Sequence, residues 1–228
     1  MTNNASEDIL KKLRSLSSAK NVEGMARFGI NPKYNLGVSM PNVRKIAKEI
    51  GTNHKLASEL WNSGIHEARI LASIIAEPKK FTEKQMDMWV KDFDSWDVCD
   101  QSCMNLFWKL PFADKKIFEY AKREEEFVRR TSFALMACVA WKDKQATNTR
   151  IETYFPLIKK YSFDDRNYVR KAVNWALRQI GKARPEWNGR AIAVAKDIQK
   201  IDSKTAKWVA NDALRELQSD AVQKRLKK

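Results

Sequence analysis

The sequence predicts an all-α fold of stacked helix pairs, and three features predict it. Apolar residues recur at i, i+3, i+4 and i+7 through nearly every segment, the spacing of one buried helical face. No alternating strand pattern is present, and 7 Gly with 6 Pro are too few for a turn-rich β fold. The helices also repeat. HEARILAS (66–73), FVRRTSFA (127–134) and YVRKAVNW (168–175) share an aromatic or His start, central basic residues and an apolar stripe. KWVANDALREL (207–217) overlays RKAVNWALRQI (170–180). A period of roughly 30–40 residues in helix pairs defines a right-handed α-solenoid of HEAT-like repeats with a concave basic groove. The expected domain organisation is one domain over residues 1–228, with frayed tails at 1–5 and 219–228.

Helices are expected at 6–17 and 20–29, followed by 41–50, which Ser39 and Pro41 open and Gly51 closes. The helix 54–63 ends at Gly64, and 66–76 ends before Pro78. Thr82 with Gln85 forms a capping box for 82–93. Ser95 is the expected N-cap of 95–109, which stops before Pro111. Helices at 113–122, 125–141, 148–160, 165–181 (ended by Gly181), 186–199 and 202–217 complete the series.

The formal charge is +15, unevenly spread. Residues 1–120 hold 18 Lys/Arg against 15 Asp/Glu, and residues 121–228 hold 25 against 13. A basic second half suits a polyanion, nucleic acid above all, with a Lys-rich solubilising surface as the plain alternative. No apolar run approaches the ~20 residues of a membrane span. The N-terminus has no basic lead followed by an apolar stretch, so a cytoplasmic protein is expected. Cys99, Cys103 and Cys138 are too few and too odd in number for a disulfide framework. Cys99 and Cys103 share a helical face but lack further ligands nearby, so buried thiols are expected rather than a metal. Phosphate loops, HExxH, CxxC and Ser/His/Asp arrangements are absent, so any catalysis must rest on carboxylates, aromatics and cations.

The segment Asp92-Phe93-Asp94-Ser95-Trp96-Asp97-Val98-Cys99-Asp100 therefore stands out. Four carboxylates weaken polyanion binding, which suggests chemistry on the polyanion. On a helical wheel Val98, Cys99, Ser102, Cys103 and Leu106 face the core. Trp96 and Asp100, at i and i+4, share the flank. Asp97 and Gln101 point outward, and Asp92 and Asp94 precede the helix. The plain alternative is that Trp96 packs and Asp100 pairs with a basic neighbour.

On 168–181, Val169, Ala172, Val173, Ala176 and Ile180 form the core stripe. Trp175 projects away from it between Lys171 and Arg178, with Asn174 beside it, as a nucleic-acid contact would, or as packing against the next repeat would. On 125–141, Val128, Thr131, Leu135 and Val139 face the core. Arg130 lies off it over the small Ala134 and Ala137, which admits either a phosphate or an internal salt bridge.

At these residues the chain resembles the AlkD-type DNA alkylation-repair glycosylases, from about residue 25 to 217. The resemblance is carried by MARF (25–28), LGVSMPNVRK (36–45), SWDVCD (95–100), VRRTSFALM (128–136) and VNWALRQIGK (173–182). It implies a HEAT-like solenoid that hydrolyses the N-glycosidic bond of N3- and N7-alkylated purines in duplex DNA, without flipping the base. It implies that Asp100 is the catalytic aspartate and that Trp96 and Trp175 contact the sugar of the damaged nucleotide. Arg130 matches the active-site arginine and Arg178 a phosphate-contacting one. Lys171, Phe28, Ser39 and Arg44 are the further expected DNA contacts. Phe28 departs from the Tyr, and Ser39 from the Gln, of well-known members.

A cationic alkylpurine already leaves readily, so no general acid is needed, unlike in O-glycoside hydrolysis. One carboxylate can stabilise the oxocarbenium-like sugar and orient water. The expectation is a monomeric DNA glycosylase with no cofactor, no obligate protein partner and no membrane contact. Its partner is alkylated double-stranded DNA. The competing readings are a non-catalytic module for distorted or branched DNA and a protein-interaction scaffold.

Overall fold

A computed structural model describes residues 4–227. The chain divides into two compact units, residues 1–112 and 113–228. The first holds α1 (Asn4–Ser15), α2 (Ala19–Arg27), α3 (Met40–Ile50), α4 (His54–Asn62), α5 (His66–Ile75), α6 (Glu83–Lys91) and α7 (Trp96–Asn105). The second holds α8 (Ala113–Ala121), α9 (Glu126–Lys142), α10 (Asn148–Glu152), α11 (Phe155–Tyr161), α12 (Asn167–Ala183), α13 (Pro185–Gln199), α14 (Lys204–Leu217) and α15 (Asp220–Leu226). Among the described residues there is no strand, and no helix is long and apolar enough to cross a membrane.

In the first unit α5 is the packing centre, against α3, α4 and α7. It is buried on nearly every side, Glu67 and Ser73 included. An aromatic cluster joins α4 to α6. Trp61 and Trp89 stack at 3.8 Å, Phe81 meets Trp89 edge-on, and the Trp61 indole donates to Asp92 Oδ2 at 2.8 Å. Such stacked pairs add about 0.5–1.5 kcal/mol to the area they bury.

The α2–α3 connection is fixed by two devices. Gly37 has φ +72°, and a Cβ there would lie 2.3 Å from the Ser18 carbonyl oxygen, so only glycine fits. The Glu67 carboxylate accepts from the backbone N–H of Leu36 (3.0 Å) and of Val38 (2.9 Å).

In the second unit α9 packs between α8 and α12, and every residue from Val128 to Ala140 is buried. The expected one-sided stripe on this helix is therefore too narrow. With neighbours on more than one side, apolar and small residues cover the whole circumference and periodicity fades. α12 in turn packs on α13 and α14.

Several boundaries differ from expectation. Gly181 does not end its helix: α12 continues to Ala183, and Gly181 is buried where a Cβ would lie 2.6 Å from the Leu217 side chain. The helix expected at 148–160 is two, because Pro156 in the first turn of α11 has no N–H to bond back to the preceding turn. The helix expected at 95–109 ends at Asn105, where Leu106 leaves helical geometry (φ −128°, ψ −59°), and a 3₁₀ turn follows. The expected frayed tail at 219–228 instead contains α15. Ser219 caps it, Val222 is 6 % exposed, and Gln223 donates to the Leu217 carbonyl at 2.7 Å. The sequence hides this helix because only one of its residues is buried. Of the other expected tail, residues 1–3 lie outside the described residues, and α1 begins at Asn4.

Caps differ in detail. Thr82 Oγ1 accepts from Gln85 N at 3.1 Å, but the Gln85 side chain turns to Ser58 instead of closing the capping box. Ser39 and Ser95 precede their helices without a side-chain cap bond.

Candidate active-site residues

The acidic segment at the start of α7 is a set of latches, each in the first unit. Asp92 accepts from Trp61, and its carbonyl accepts from Arg69 Nη1 at 2.9 Å. Asp94 Oδ2 accepts from Asn31 Nδ2 at 2.9 Å. Ser95, fully buried, accepts from the Asn31 backbone N–H at 2.9 Å, which explains why it does not cap its own helix. The Trp96 indole donates to the Phe28 carbonyl at 3.0 Å. Asp97 meets His66 Nε2 at 2.9 Å, and the His66 backbone N–H donates to the Tyr34 carbonyl at 2.9 Å.

Asp97 is thus not the outward residue that the helical wheel predicts. A helix can turn its polar flank toward a buried histidine of a neighbour, and α5 supplies one, 4 % exposed. Burial pulls the His66 pKa down, but the hydrogen bond and charge of Asp97 outweigh it, with Glu67 and Asp94 adding, so the net shift is upward.

The core side of α7 is as expected, with Val98, Cys99, Ser102, Cys103 and Leu106 all buried. All three cysteines are buried and unbridged. Asp100 lies one turn beyond Trp96 on the same flank and is 9 % exposed; Trp96 is half-buried. The indole bond to Phe28 joins Trp96 to the loop that also presents Phe28, 76 % exposed, and Tyr34, 52 % exposed. Ser39 and Arg44, at the start of α3, are exposed, and Arg44 makes no ion pair with a described residue.

The second unit carries the remaining expected residues on two helices. Arg130 on α9 is 5 % exposed, and its Nη1 donates to the Tyr168 carbonyl at 2.6 Å. The open guanidinium that the sequence suggests is instead largely enclosed, since α8 and α12 cover this helix. Arg129 beside it joins Asp164 (2.8 Å) and Glu124 (3.1 Å).

On α12, the predicted core stripe is buried throughout, Lys171 is exposed and Trp175 is half-buried. Asn174 turns inward. Its Nδ2 donates to the Val209 carbonyl at 3.1 Å, tying α12 to α14. Arg178 is ion-paired with Glu216 and with Asp212 (3.1 Å), and it also donates to Asn174. Burial pushes the Glu216 carboxyl up, but Arg178 and Lys182 outweigh this and hold it below its usual value. The charge of Arg178 is therefore already answered within the unit, whereas Lys171 makes no ion pair with a described residue.

Sequence reasoning missed Glu67, His66 and Asn31. A glutamate within the apolar stripe of HEARILAS and the Asn31-Pro32 turn pair were the available signals.

A search of curated proteins returns no match. Among solved structures, one described as "A new family of proteins related to the HEAT-like repeat DNA glycosylases with affinity for branched DNA structures" superposes with a TM-score of 0.76. It is 18% identical, and the match covers 92% of this chain and 95% of that one. That likeness shows the fold, an all-α arrangement of HEAT-like repeats. A designed armadillo repeat protein in complex with the peptide (KR)4 aligns at a TM-score of 0.41 and 13% identity, over 82% of this chain and 79% of that one. The sequence itself matches the family described as DNA alkylation repair enzyme over residues 9–217, and with nearly all of the chain matched, the protein belongs to that family.

Proposed function

We propose that this protein is a DNA N-glycosylase that releases positively charged N3- and N7-alkylated purines from duplex DNA, with Asp100 as its catalytic carboxylate. The observation that carries the reading is Asp100, 9 % exposed, on the same helical flank as an indole that Phe28 holds in place, in a member of a DNA alkylation repair family.

The C1′–N bond breaks, its electron pair leaves with the base, and the base's positive charge is thereby neutralised. The sugar becomes oxocarbenium-like. Asp100 stabilises that charge and orients the water that adds to C1′; the water's proton is lost, leaving an abasic site. Trp96 offers an aromatic face to the sugar, where positive charge develops. Its bond to Phe28 fixes the ring before the strand arrives, so little ordering remains for the transition state.

From the second unit, Trp175 is assigned to the sugar and Arg130 to the flanking phosphate, both by resemblance. The Tyr168 carbonyl accepts from Arg130 Nη1 and pre-orders the guanidinium. Lys171, Phe28, Ser39 and Arg44 are the proposed strand contacts, and all four are exposed. Arg178 enters with its charge offset by Glu216 and Asp212, so it supports α12 more than it attracts phosphate. The enclosed carboxylate and fixed indole suit a reaction on a stacked base, in the monomeric protein, without flipping.

The test is single-turnover base release from duplexes carrying 7-methylguanine or 3-methyladenine. The wild type releases both, and Asp100→Asn loses release while still binding the duplex. A wild type that binds and releases nothing defeats the enzyme reading. The second reading, a non-catalytic module for branched DNA, has support in the fold likeness to a family with affinity for branched DNA structures. It predicts tighter binding of a four-way junction than of a linear duplex, without base release.

A further inference from the structure

We infer that Arg170 and Trp208 form an additional strand-binding platform, one repeat beyond Lys171 and Trp175, that takes a DNA backbone phosphate and its neighbouring base or sugar. The inference rests on the DNA-binding part of the reading above. It adds two residues from different helices that neither motif nor resemblance selects.

The two helices concerned lie side by side in the second unit. Asn174 reaches the Val209 carbonyl, Arg178 reaches Asp212, and Lys182 reaches Glu216 at 2.7 Å. At the start of this row the Arg170 guanidinium lies over the Trp208 ring, 5.3 Å from its centroid. Trp208 is 40 % exposed, a large aromatic surface left open to solvent. In the overlay of KWVANDALREL on RKAVNWALRQI, Trp208 falls at the position of Lys171. Repeat architectures present equivalent positions on the same surface, so a strand met by Lys171 continues toward Trp208.

The contrast with Arg178 decides the role of Arg170. Arg178 is answered by two carboxylates. Arg170 makes no ion pair with a described residue; Nη2 reaches Asn167 Oδ1 at 3.3 Å, and the buried Nε has no hydrogen-bond partner. Exposed Lys171 and Lys204 stand nearby in sequence, also without ion pairs to described residues. A guanidinium stacked on an aromatic, with its charge unneutralised and among free lysines, is the combination that tracks a nucleic-acid backbone.

The experiment measures binding of the full chain to a fluorescein-labelled duplex by anisotropy, over a series of salt concentrations. Arg170→Gln is expected to weaken binding about 5–10-fold and to reduce the salt slope by about 1, the signature of one lost phosphate contact. Arg170→Lys restores the slope but not the full affinity, because an ammonium stacks less well on the indole. Trp208→Ala weakens binding comparably, and adding Arg170→Gln to it costs little more, since the two act as one unit. A wild type that binds duplex while Arg170→Gln and Trp208→Ala keep its affinity and slope overturns the platform and leaves the glycosylase reading standing. A wild type with no measurable DNA affinity overturns both.

Discussion

Glu67→Gln isolates the contact that holds the α2–α3 connection in place. Both carboxylate oxygens accept a backbone N–H, at 3.0 and 2.9 Å, and the residue is 1 % exposed. Glutamine has the same shape but only one acceptor oxygen; its NH₂ must face the second N–H. One charge-assisted bond is replaced by a neutral one, and the other becomes an unsatisfied buried donor. With hydrogen bonds to charged groups worth ≈ 1.5–3 kcal/mol and an orphaned donor costing ≈ 1–3, the loss is about 3 kcal/mol. For a chain of this size each kcal/mol lowers Tm by ~2–4 °C, so a fall of roughly 6–12 °C is expected. Thermal unfolding measures the total. Amide hydrogen exchange at Leu36 and Val38 measures the local effect, which should exceed that at α6. Because this connection leads into Ser39 and Arg44, duplex affinity should fall as well. A loss below about 1 kcal/mol, with Leu36 and Val38 still as protected as in the wild type, refutes the latch.

The remaining expectations concern α7 and α15. His66 has its pKa raised in the folded state, so the stability it contributes is fully present below the unfolded value of ~6.5 and is lost as pH rises through the folded value. The stability gap between wild type and Asp97→Asn should therefore be widest at mildly acid pH and narrow above that range; a gap independent of pH removes His66 from the account. Val222→Ala should cost about 1.5–2.5 kcal/mol, two buried carbons plus the space they leave, measured by denaturant unfolding. A frayed tail would show no change.

Much of the architecture is legible in the sequence because helix content follows from local periodicity and from the punctuation of Gly and Pro. The core stripe of α12 and the core side of α7 follow from the same rule, as does the pairing of Trp96 with Asp100 on one flank, since residues four apart share a helical face. The family resemblance adds roles to those positions. Periodicity fails where a helix is covered on several sides, as α9 is, or where a single residue anchors a short one, as Val222 does in α15.

What only the tertiary structure decides is the partner of each polar side chain. Asp92, Asp94 and Asp97 read alike in sequence, yet one holds Trp61, one Asn31 and one His66, through contacts that cross 31 or 63 residues of chain. Arg178 and Arg170 also read alike, two cations on one helix, until α14 gives the first two carboxylates and the second a tryptophan face. A wheel reports the direction in which a side chain leaves its own helix. What that side chain meets is set by which helix packs there, and that is fixed by the burial of apolar surface along the whole chain.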